Sequence, residues 1–179
     1  MAKYFDELTR AMKYLGSMED TIFLGQAVEY KGTGMTNTLR EVSRDKLMEM
    51  PVNEDMQLGI TNGLAIAGMV PISLFPRWNF FVLATNQLVN HLDKFPIFSH
   101  GEYSPKVIMR VGVGSERPLH PQGQHVGDYT DGYRKILKNV EIIRLEEPED
   151  IFPAYQKAYT REDGKSTILV EFGDYYNEK

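Results

Sequence analysis

Two of the four histidines, His120 and His125, lie in the stretch PLHPQGQHVGDY, within a loop that contains glycine and proline. An imidazole titrates near neutral pH and can act as a general acid or base, so His125 is a candidate for that role. An exposed or structural histidine is the ordinary alternative, and the spacing does not decide between the two. None of the four histidines has the spacing of metal ligands with another histidine or a carboxylate pair.

Two acidic residues, Glu54 and Asp55, open the stretch NEDMQLGITNGLAIA. They follow Asn53, a residue type that caps helix N-termini, so they lie in the first turn of a helix predicted to run to about Ala67. The helix dipole stabilises a carboxylate there by roughly 0.3–1 kcal/mol, and this ordinary role accounts for both acids. Whether Glu54 also has a chemical role stays open on these grounds.

The same predicted helix carries a row of small residues, Gly59, Gly63 and Ala67, at intervals of four. Glycine inside a helix costs about 0.5–1 kcal/mol relative to alanine, so two glycines on one face need a reason. A row of minimal side chains lets another helix approach closely. We therefore predict a tight helix contact on this face, either within the chain or with another subunit.

Composition restricts the class of protein. The chain has 179 residues, of which 42% are hydrophobic, enough for one domain with its own core. The formal charge is -5 and there is no cluster of Lys and Arg, which argues against nucleic acid as the main partner. There is no cysteine, no signal-peptide pattern and no apolar run of the ~20 residues that span a bilayer, so we expect a cytoplasmic protein.

Apolar runs alternate with helix signals along the chain. Six strands are predicted, in TIFLG, KLMEMPV, VPISLF, PKVIMRVG, VEIIRL and STILVEF. Helices are predicted at 3–16, in TNTLREVS, at 54–67, through FFVLATNQLVNHLDKF, at 129–138 and at 148–159. Continuous apolar strands indicate a sheet that is covered on both faces. The predicted fold is therefore an α/β three-layer sandwich with a mostly parallel sheet of about six strands.

An ordered set of motifs covers about residues 20–173. The strongest is E-x4-G-Φ-x-x-G, formed by Glu54, Gly59, Ile60 and Gly63. The set continues with A-G-M-V-P at 67–71, Phe75, Asn79-Phe80, Gln87, Asn90, Lys94, Arg110-Val-Gly and Gln124-His125. Together these motifs resemble the pyrimidine-binding, transketolase-like domain of thiamine-diphosphate enzymes, and most of all the N-terminal half of the beta subunit of 2-oxo acid dehydrogenases.

This resemblance implies a role for each candidate site residue. Glu54 would share a proton with N1′ of the cofactor, which raises the acidity of the 4′-amino group that activates the thiazolium. Phe80 would stack on the aminopyrimidine, and Gln57 would also bind the cofactor. His125 would be the acid/base near the bound intermediate. The row of Gly59, Gly63 and Ala67 would admit the helix of a partner and so bring two half-sites together.

The resemblance also implies a partner subunit. The sequence has no G-D-G…N-N motif for a metal ion and a diphosphate, so we expect residues 1–179 to form a single pyrimidine-binding domain, with neither a diphosphate-binding nor a C-terminal domain. An alpha-type subunit would then supply the diphosphate site and hold Mg²⁺, in a heterotetramer with its sites at the interface. Such a chain acts on a 2-oxo acid or a ketose and is inactive alone.

Departures from the family pattern leave the substrate open. Gln26 and Ala27 stand where the family has acidic residues, Leu74 replaces an acid, and His125 is not followed by the usual polar pair. A split transketolase acting on sugar phosphates is one alternative, and its candidate phosphate ligands are Arg77, Arg110 and Arg117. A non-catalytic assembly or regulatory subunit of the same fold is another.

Overall fold

A six-stranded sheet forms the centre of the chain. The computed structural model describes residues 3–30 and 32–178. The strands are β1 (Thr21–Gly25), β2 (Leu47–Glu49), β3 (Val70–Phe75), β4 (Ile108–Val113), β5 (Val140–Arg144) and β6 (Ser166–Phe172). Their order is β2-β1-β3-β4-β6-β5, and every neighbouring pair is parallel. The predicted α/β fold and its parallel sheet are confirmed.

Helices cover both faces of this sheet. In the described residues they are α1 (Tyr4–Gly16), α2 (Gly34–Asn37), α3 (Glu54–Ile66), α4 (Trp78–Phe81), α5 (Phe95–Phe98), α6 (Thr130–Ile136), α7 (Pro148–Thr160) and α8 (Tyr175–Glu178). One apolar cluster packs α1, α2 and α7 on one face, and a second packs α3, α4 and α6 on the other. The result is the predicted three-layer arrangement.

The helix predicted in TNTLREVS is wrong. The structure has a single turn, α2, which begins two residues earlier, at Gly34, because Thr33 caps it. The Thr33 hydroxyl accepts the N–H of Thr36 at 3.1 Å, and the Thr36 hydroxyl accepts the N–H of Thr33 at 3.3 Å. This reciprocal capping fixes the start of α2. Residues 38–43 are not helical, and the N–H groups of Thr38 and Leu39 donate to carbonyl oxygens three residues back, as in turns.

The long helix predicted through FFVLATNQLVNHLDKF is only partly correct. Residues 78–98 are helical, but α4 and α5 are separated by 3₁₀ turns at Val82–Ala84 and Leu92–Lys94 and by a π-helical turn at Gln87–His91. The carbonyl of Gln87 also accepts a hydrogen bond from the Asn62 amide of α3 at 3.2 Å. A side chain that inserts into the helical ladder is a recognised cause of such a break, so α3 shapes this segment.

Asp93 fixes the far end of this helical segment. Its side chain is fully buried, and its Oδ1 accepts the backbone N–H groups of Lys138 and Asn139, both at 2.7 Å. The ammonium of Lys94 lies 2.6 Å from Oδ2. Burial opposes the charge of Asp93, but these bonds outweigh it and hold the pKa of the carboxyl below its ordinary value. Asp93 therefore ties the helical segment to the start of β5.

Asp93→Asn tests this anchor. We expect the free energy of unfolding at about pH 7 to fall by about 1–3 kcal/mol, because a charged acceptor of several hydrogen bonds is lost. The folded pKa lies below the unfolded value of about 3.9, so the stabilisation is complete above that pH and is lost as the pH falls through the folded pKa. Urea unfolding of the wild type and of Asp93→Asn, from about pH 7 down into acid, measures the difference. Glu102→Gln, at an exposed carboxylate, is the control. A loss that did not shrink in acid would contradict a charged Asp93.

Candidate active site

Glu54 is the first residue of α3, at the carboxyl edge of the sheet. Asn53 caps the helix as predicted, since its side chain accepts the N–H of Met56 at 2.9 Å. Glu54 is only 7% exposed, and its Oε1 accepts a hydrogen bond of 3.2 Å from Nε2 of Gln26. Its Oε2 has no hydrogen bond with any described residue. One carboxylate oxygen is thus oriented by a neutral amide, and the other is free to bind or share a proton.

Phe80 and His125 lie together at the same edge. Phe80 belongs to α4, directly after β3, and its ring is 39% exposed while its neighbours Trp78 and Phe81 are fully buried. The Phe80 and His125 rings meet edge to face, with centroids 5.5 Å apart and planes at 89°. His125 Nδ1 is buried and has no hydrogen-bond partner in the described residues. The candidate stacking residue and the candidate acid/base are therefore neighbours.

The residues just before Phe80 hold the loop that carries His125. Arg77 Nη1 donates to the carbonyl oxygens of Gly114 at 2.8 Å and His125 at 3.0 Å. Asn79 Oδ1 accepts the N–H of Gly127 at 3.1 Å. Sequence reasoning considered Arg77 only as a phosphate ligand and missed this role. These contacts join residues 37 to 48 positions apart, so no local pattern could have revealed them.

A close backbone approach at the exit of β4 positions the same loop. A Cβ at Gly112 would lie 2.2 Å from the carbonyl oxygen of Pro76. No side chain fits in that space, so only glycine allows β4 to pass this close to the start of the Phe80 segment. This contact is a physical reason for the glycine in Arg110-Val-Gly.

Gln57 lies behind Glu54 rather than on the open edge. Its side chain is fully buried, and its amide nitrogen donates to Ser73 Oγ at 3.0 Å and to the Leu74 carbonyl at 2.9 Å. Its Oε1 is buried without a hydrogen-bond partner in the described residues. Within this chain Gln57 fastens α3 to β3, which holds the helix whose first residue is Glu54. Its cofactor contact stays a prediction.

The small residues of α3 divide into two groups. Gly59 packs against the helical segment 78–98, where an added Cβ would lie 3.5 Å from Cδ of Gln87. An added Cβ at Gly63 would meet no atom within 4 Å, and Ala67 is exposed beside it. The chain's own contacts therefore cover only Gly59. Gly63, Ala67 and the partly exposed Ile60 form an open apolar stripe along α3.

The three candidate phosphate ligands have different partners in the structure. Arg110 is fully buried and binds Glu171 with two bonds, Nε to Oε1 at 2.6 Å and Nη2 to Oε2 at 2.9 Å. Arg77 is turned to two carbonyl oxygens, as described above. Arg117 is largely exposed, and its Nε lies 3.8 Å from a carboxylate oxygen of Asp174. Arg110 is thus unavailable to a ligand, which weakens the sugar-phosphate alternative.

Two kinds of feature are absent from the described part of the chain. Among the residues that the structure describes, no group of three or more His, Asp or Glu side chains could hold a metal ion. In the same part of the chain, no helix is long and apolar enough to cross a lipid bilayer. The concavities next to α2 and next to α6 are lined by residues other than Glu54, Phe80 and His125.

The comparisons with known proteins concern the sequence and the fold. No protein-family model matches the sequence. The beta subunit of 3-methyl-2-oxobutanoate dehydrogenase from Mycobacterium tuberculosis (strain CDC 1551 / Oshkosh) is 27% identical over 112 residues, which cover 60% of this chain and 30% of that protein. The mitochondrial pyruvate dehydrogenase E1 component subunit beta of Caenorhabditis elegans is 28% identical over 170 residues, which cover 92% of this chain and 47% of that protein.

A solved structure shares the fold. It is described as a split gene transketolase in an inactive beta4 tetramer, with a TM-score of 0.63 and 15% identity, and the match covers 97% of this chain and 52% of that one. The fold is thus transketolase-like. The chain is related to the beta subunits of 2-oxo acid dehydrogenases, which confirms the resemblance drawn from the motifs. It spans 30% and 47% of the lengths of the two curated relatives.

Proposed function

We propose that this chain is the pyrimidine-binding subunit of a two-component thiamine-diphosphate-dependent enzyme of the 2-oxo acid decarboxylation and dehydrogenase type. The observation that carries the proposal is Glu54, buried at the first turn of α3 with one oxygen held by Gln26 and the other free. The adjacent pair of Phe80 and His125 and the similarity to dehydrogenase beta subunits support it. We propose a cytoplasmic location on the sequence grounds given above.

The residues present fit the aminopyrimidine half of thiamine diphosphate. The free oxygen of Glu54 would share a proton with N1′, and the exposed face of Phe80 would stack on the ring. The bound cofactor supplies a carbon nucleophile and stores the electron pair released when a bond next to a carbonyl breaks. Gln26 would keep Glu54 oriented without adding a second negative charge. The sequence has no G-D-G…N-N motif for the diphosphate, and no group of three or more acidic or histidine side chains among the described residues could hold Mg²⁺.

We therefore assign the diphosphate and Mg²⁺ to an alpha-type partner subunit in a heterotetramer, with active sites at the interface. The open stripe of Ile60, Gly63 and Ala67 on α3 supports a helix contact between subunits, because nothing in the described part of the chain covers it. The stripe begins two turns from Glu54, so a helix that packs there would lie close to the proposed cofactor site. On this basis the chain alone is inactive.

Gly63→Leu separates assembly from folding. In the isolated chain the new side chain meets open space, and we expect the free energy of unfolding to stay the same or rise by up to about 1 kcal/mol as a helical glycine is removed. In the mixture with the alpha-type subunit, we expect at least about tenfold weaker association, because the leucine keeps the partner's helix away. Sedimentation analysis measures this, and Gly132→Leu on α6, also next to open space, is the control. Unchanged assembly would remove this face from the interface.

His125→Asn tests the proposed acid/base. In the assembled enzyme we expect turnover to fall by about 100-fold, with cofactor affinity nearly unchanged, because a general acid or base acts on the reaction and not on cofactor binding. The pH dependence of turnover should lose one ionisation. The matched control is His120→Asn, an exposed histidine in the same loop. Equal losses in the two variants would point to disturbance of the loop instead.

A substrate panel tests the reaction class. The assembled enzyme is offered branched and unbranched 2-oxo acids in one series and ketose phosphates in the other, with release of carbon dioxide and transfer of a two-carbon unit as the two readouts. We expect turnover with a 2-oxo acid, because Arg110, one of the three candidate phosphate ligands, is buried on Glu171. Ketose turnover alone would support the split transketolase, and silence in both series would support an assembly subunit.

A further inference from the structure

One of the cavities next to α2 lies at the carboxyl edge of the sheet, on the face that α1 and α2 cover. Its volume is about 350 Å³, and its walls come from α1, α2, α8 and the exits of β3, β4 and β6. Glu54 begins α3 on the opposite face of the sheet, so this cavity is not the proposed pyrimidine site. Arg77 lines the cavity and also holds the carbonyl oxygen of His125.

The charge of this cavity is opposite to that of the whole chain. Its polar lining consists of hydroxyl and amide side chains and one cation, namely Thr33, Asn37, Ser115, Tyr176, Asn177 and Arg77. Among the side chains that the structure describes, no Asp or Glu lines it, although the chain carries a formal charge of -5. The nearby carboxylate of Asp174 is engaged, because it accepts the backbone N–H groups of Glu116 at 3.1 Å and Arg117 at 3.0 Å.

Arg77 has donors to spare. Its Nη1 serves two carbonyl oxygens, but its Nε and Nη2 have no acceptor, and it forms no ion pair with any described residue. The guanidinium is partly buried, and burial lowers its pKa from the ordinary value. A desolvated cation without a counter-ion gains from a ligand that carries the missing negative charge. Charge-assisted bonds from a guanidinium to carboxylate or phosphate oxygens are short and strong.

We propose that this cavity binds a small oxyanion, with Arg77 as its charged ligand and Asn37 and Ser115 as neutral donors. The volume suits a molecule of several heavy atoms, such as a short 2-oxo acid or a phosphate ester. Because the same guanidinium holds the His125 carbonyl, an anion on its remaining N–H groups would also order the loop from 114 to 127. The inference needs neither thiamine diphosphate nor the partner, so it stands apart from the proposed function.

The test is an NMR titration of the isolated chain with sodium pyruvate and, separately, with inorganic phosphate, at constant pH and at ionic strength held by sodium chloride. The imidazole signals of His125 report the site, and those of His91 and His100, which are exposed and lie outside the loop from 114 to 127, are internal references. We expect a saturable shift of His125 with at least one of the two anions. Saturation by pyruvate assigns a carboxylate ligand, and saturation by phosphate alone assigns a phosphoryl group.

Three variants make the titration decisive. Arg77→Gln should weaken binding at least tenfold, and Asn37→Leu should weaken it severalfold while leaving the Arg77 bonds to the loop intact. Arg40→Gln removes an exposed cation from the neighbouring concavity and should change nothing. If Arg77→Gln disturbs the loop by itself, Asn37→Leu still tests the cavity. The proposal is overturned if neither anion gives a saturable shift, or if both cavity variants bind as the wild type does.

Discussion

Glu54→Gln in the assembled enzyme is expected to lower turnover by at least about 100-fold, the lower end of what a positioned proton-transfer group contributes. An amide keeps the shape of the side chain and can still meet Gln26, but it cannot exchange a proton with N1′. The variant should fold and assemble as the wild type does, because Glu54 forms no ion pair with any described residue. Steady-state turnover at saturating cofactor measures the catalytic loss, and sedimentation of the complex measures assembly.

The control for this change lies one residue along the helix. Asp55 occupies the same first turn and loses the same charge in Asp55→Asn, but its carboxylate faces Nε2 of Gln87 at 3.3 Å. A loss of turnover in Glu54→Gln alone would separate chemistry from the helix-dipole role that both acids share. Wild-type turnover in Glu54→Gln would remove the proposed catalytic role of this chain and favour the assembly subunit.

Arg110→Met is expected to lower the free energy of unfolding by about 3–5 kcal/mol, because it leaves Glu171 as an unpaired buried charge. Besides Arg110, Glu171 accepts hydrogen bonds from the hydroxyls of Tyr155 and Tyr176. Burial raises the pKa of both hydroxyls, so both stay protonated and donate at neutral pH. Neither can replace the lost cation. Denaturant unfolding of the isolated chain measures the change.

Two further variants test whether the loss of stability in Arg110→Met comes from the unpaired charge of Glu171. Arg110→Met combined with Glu171→Leu removes both charges and should recover most of the stability, since a buried pair replaced by apolar side chains is often neutral. Lys157→Met breaks an exposed pair with Glu141 of 2.8 Å and should cost at most about 1 kcal/mol. If Arg110→Met lowered the free energy of unfolding by less than about 1 kcal/mol, a structural role for Arg110 would be contradicted. Arg110 would then again be a possible substrate ligand.

The positions of the strands along the chain and the start of α3 were predictable because both depend on short stretches of sequence. Each strand lies in or overlaps a predicted apolar run of five to eight residues, and Asn53 caps α3 through Met56, three residues away. The break in the segment 78–98 was not predictable, because it involves the amide of Asn62 on another helix. Local pattern therefore gives the elements, and contacts between elements decide their irregularities.

The same distinction applies to the candidate site. The motif at Glu54 and the aromatic at position 80 could be found by spacing, because each lies at the start of a helix after a strand. The Gln57 side chain points inward and donates to Ser73 and Leu74, and this orientation depends on how α3 packs on β3. The pairing of Arg110 with Glu171 joins positions 61 residues apart, so sequence alone could not tell a buried anchor from a substrate ligand.

Calorimetry of thiamine diphosphate with Mg²⁺ is the most direct test of an active site shared between two subunits. The cofactor is titrated first into this chain alone and then into the chain mixed with a subunit that carries the G-D-G…N-N motif. We expect saturable binding only in the mixture, and much weaker binding when the chain carries Glu54→Gln. Saturable binding to the chain alone, or none in a mixture shown to assemble, would contradict the proposed shared site.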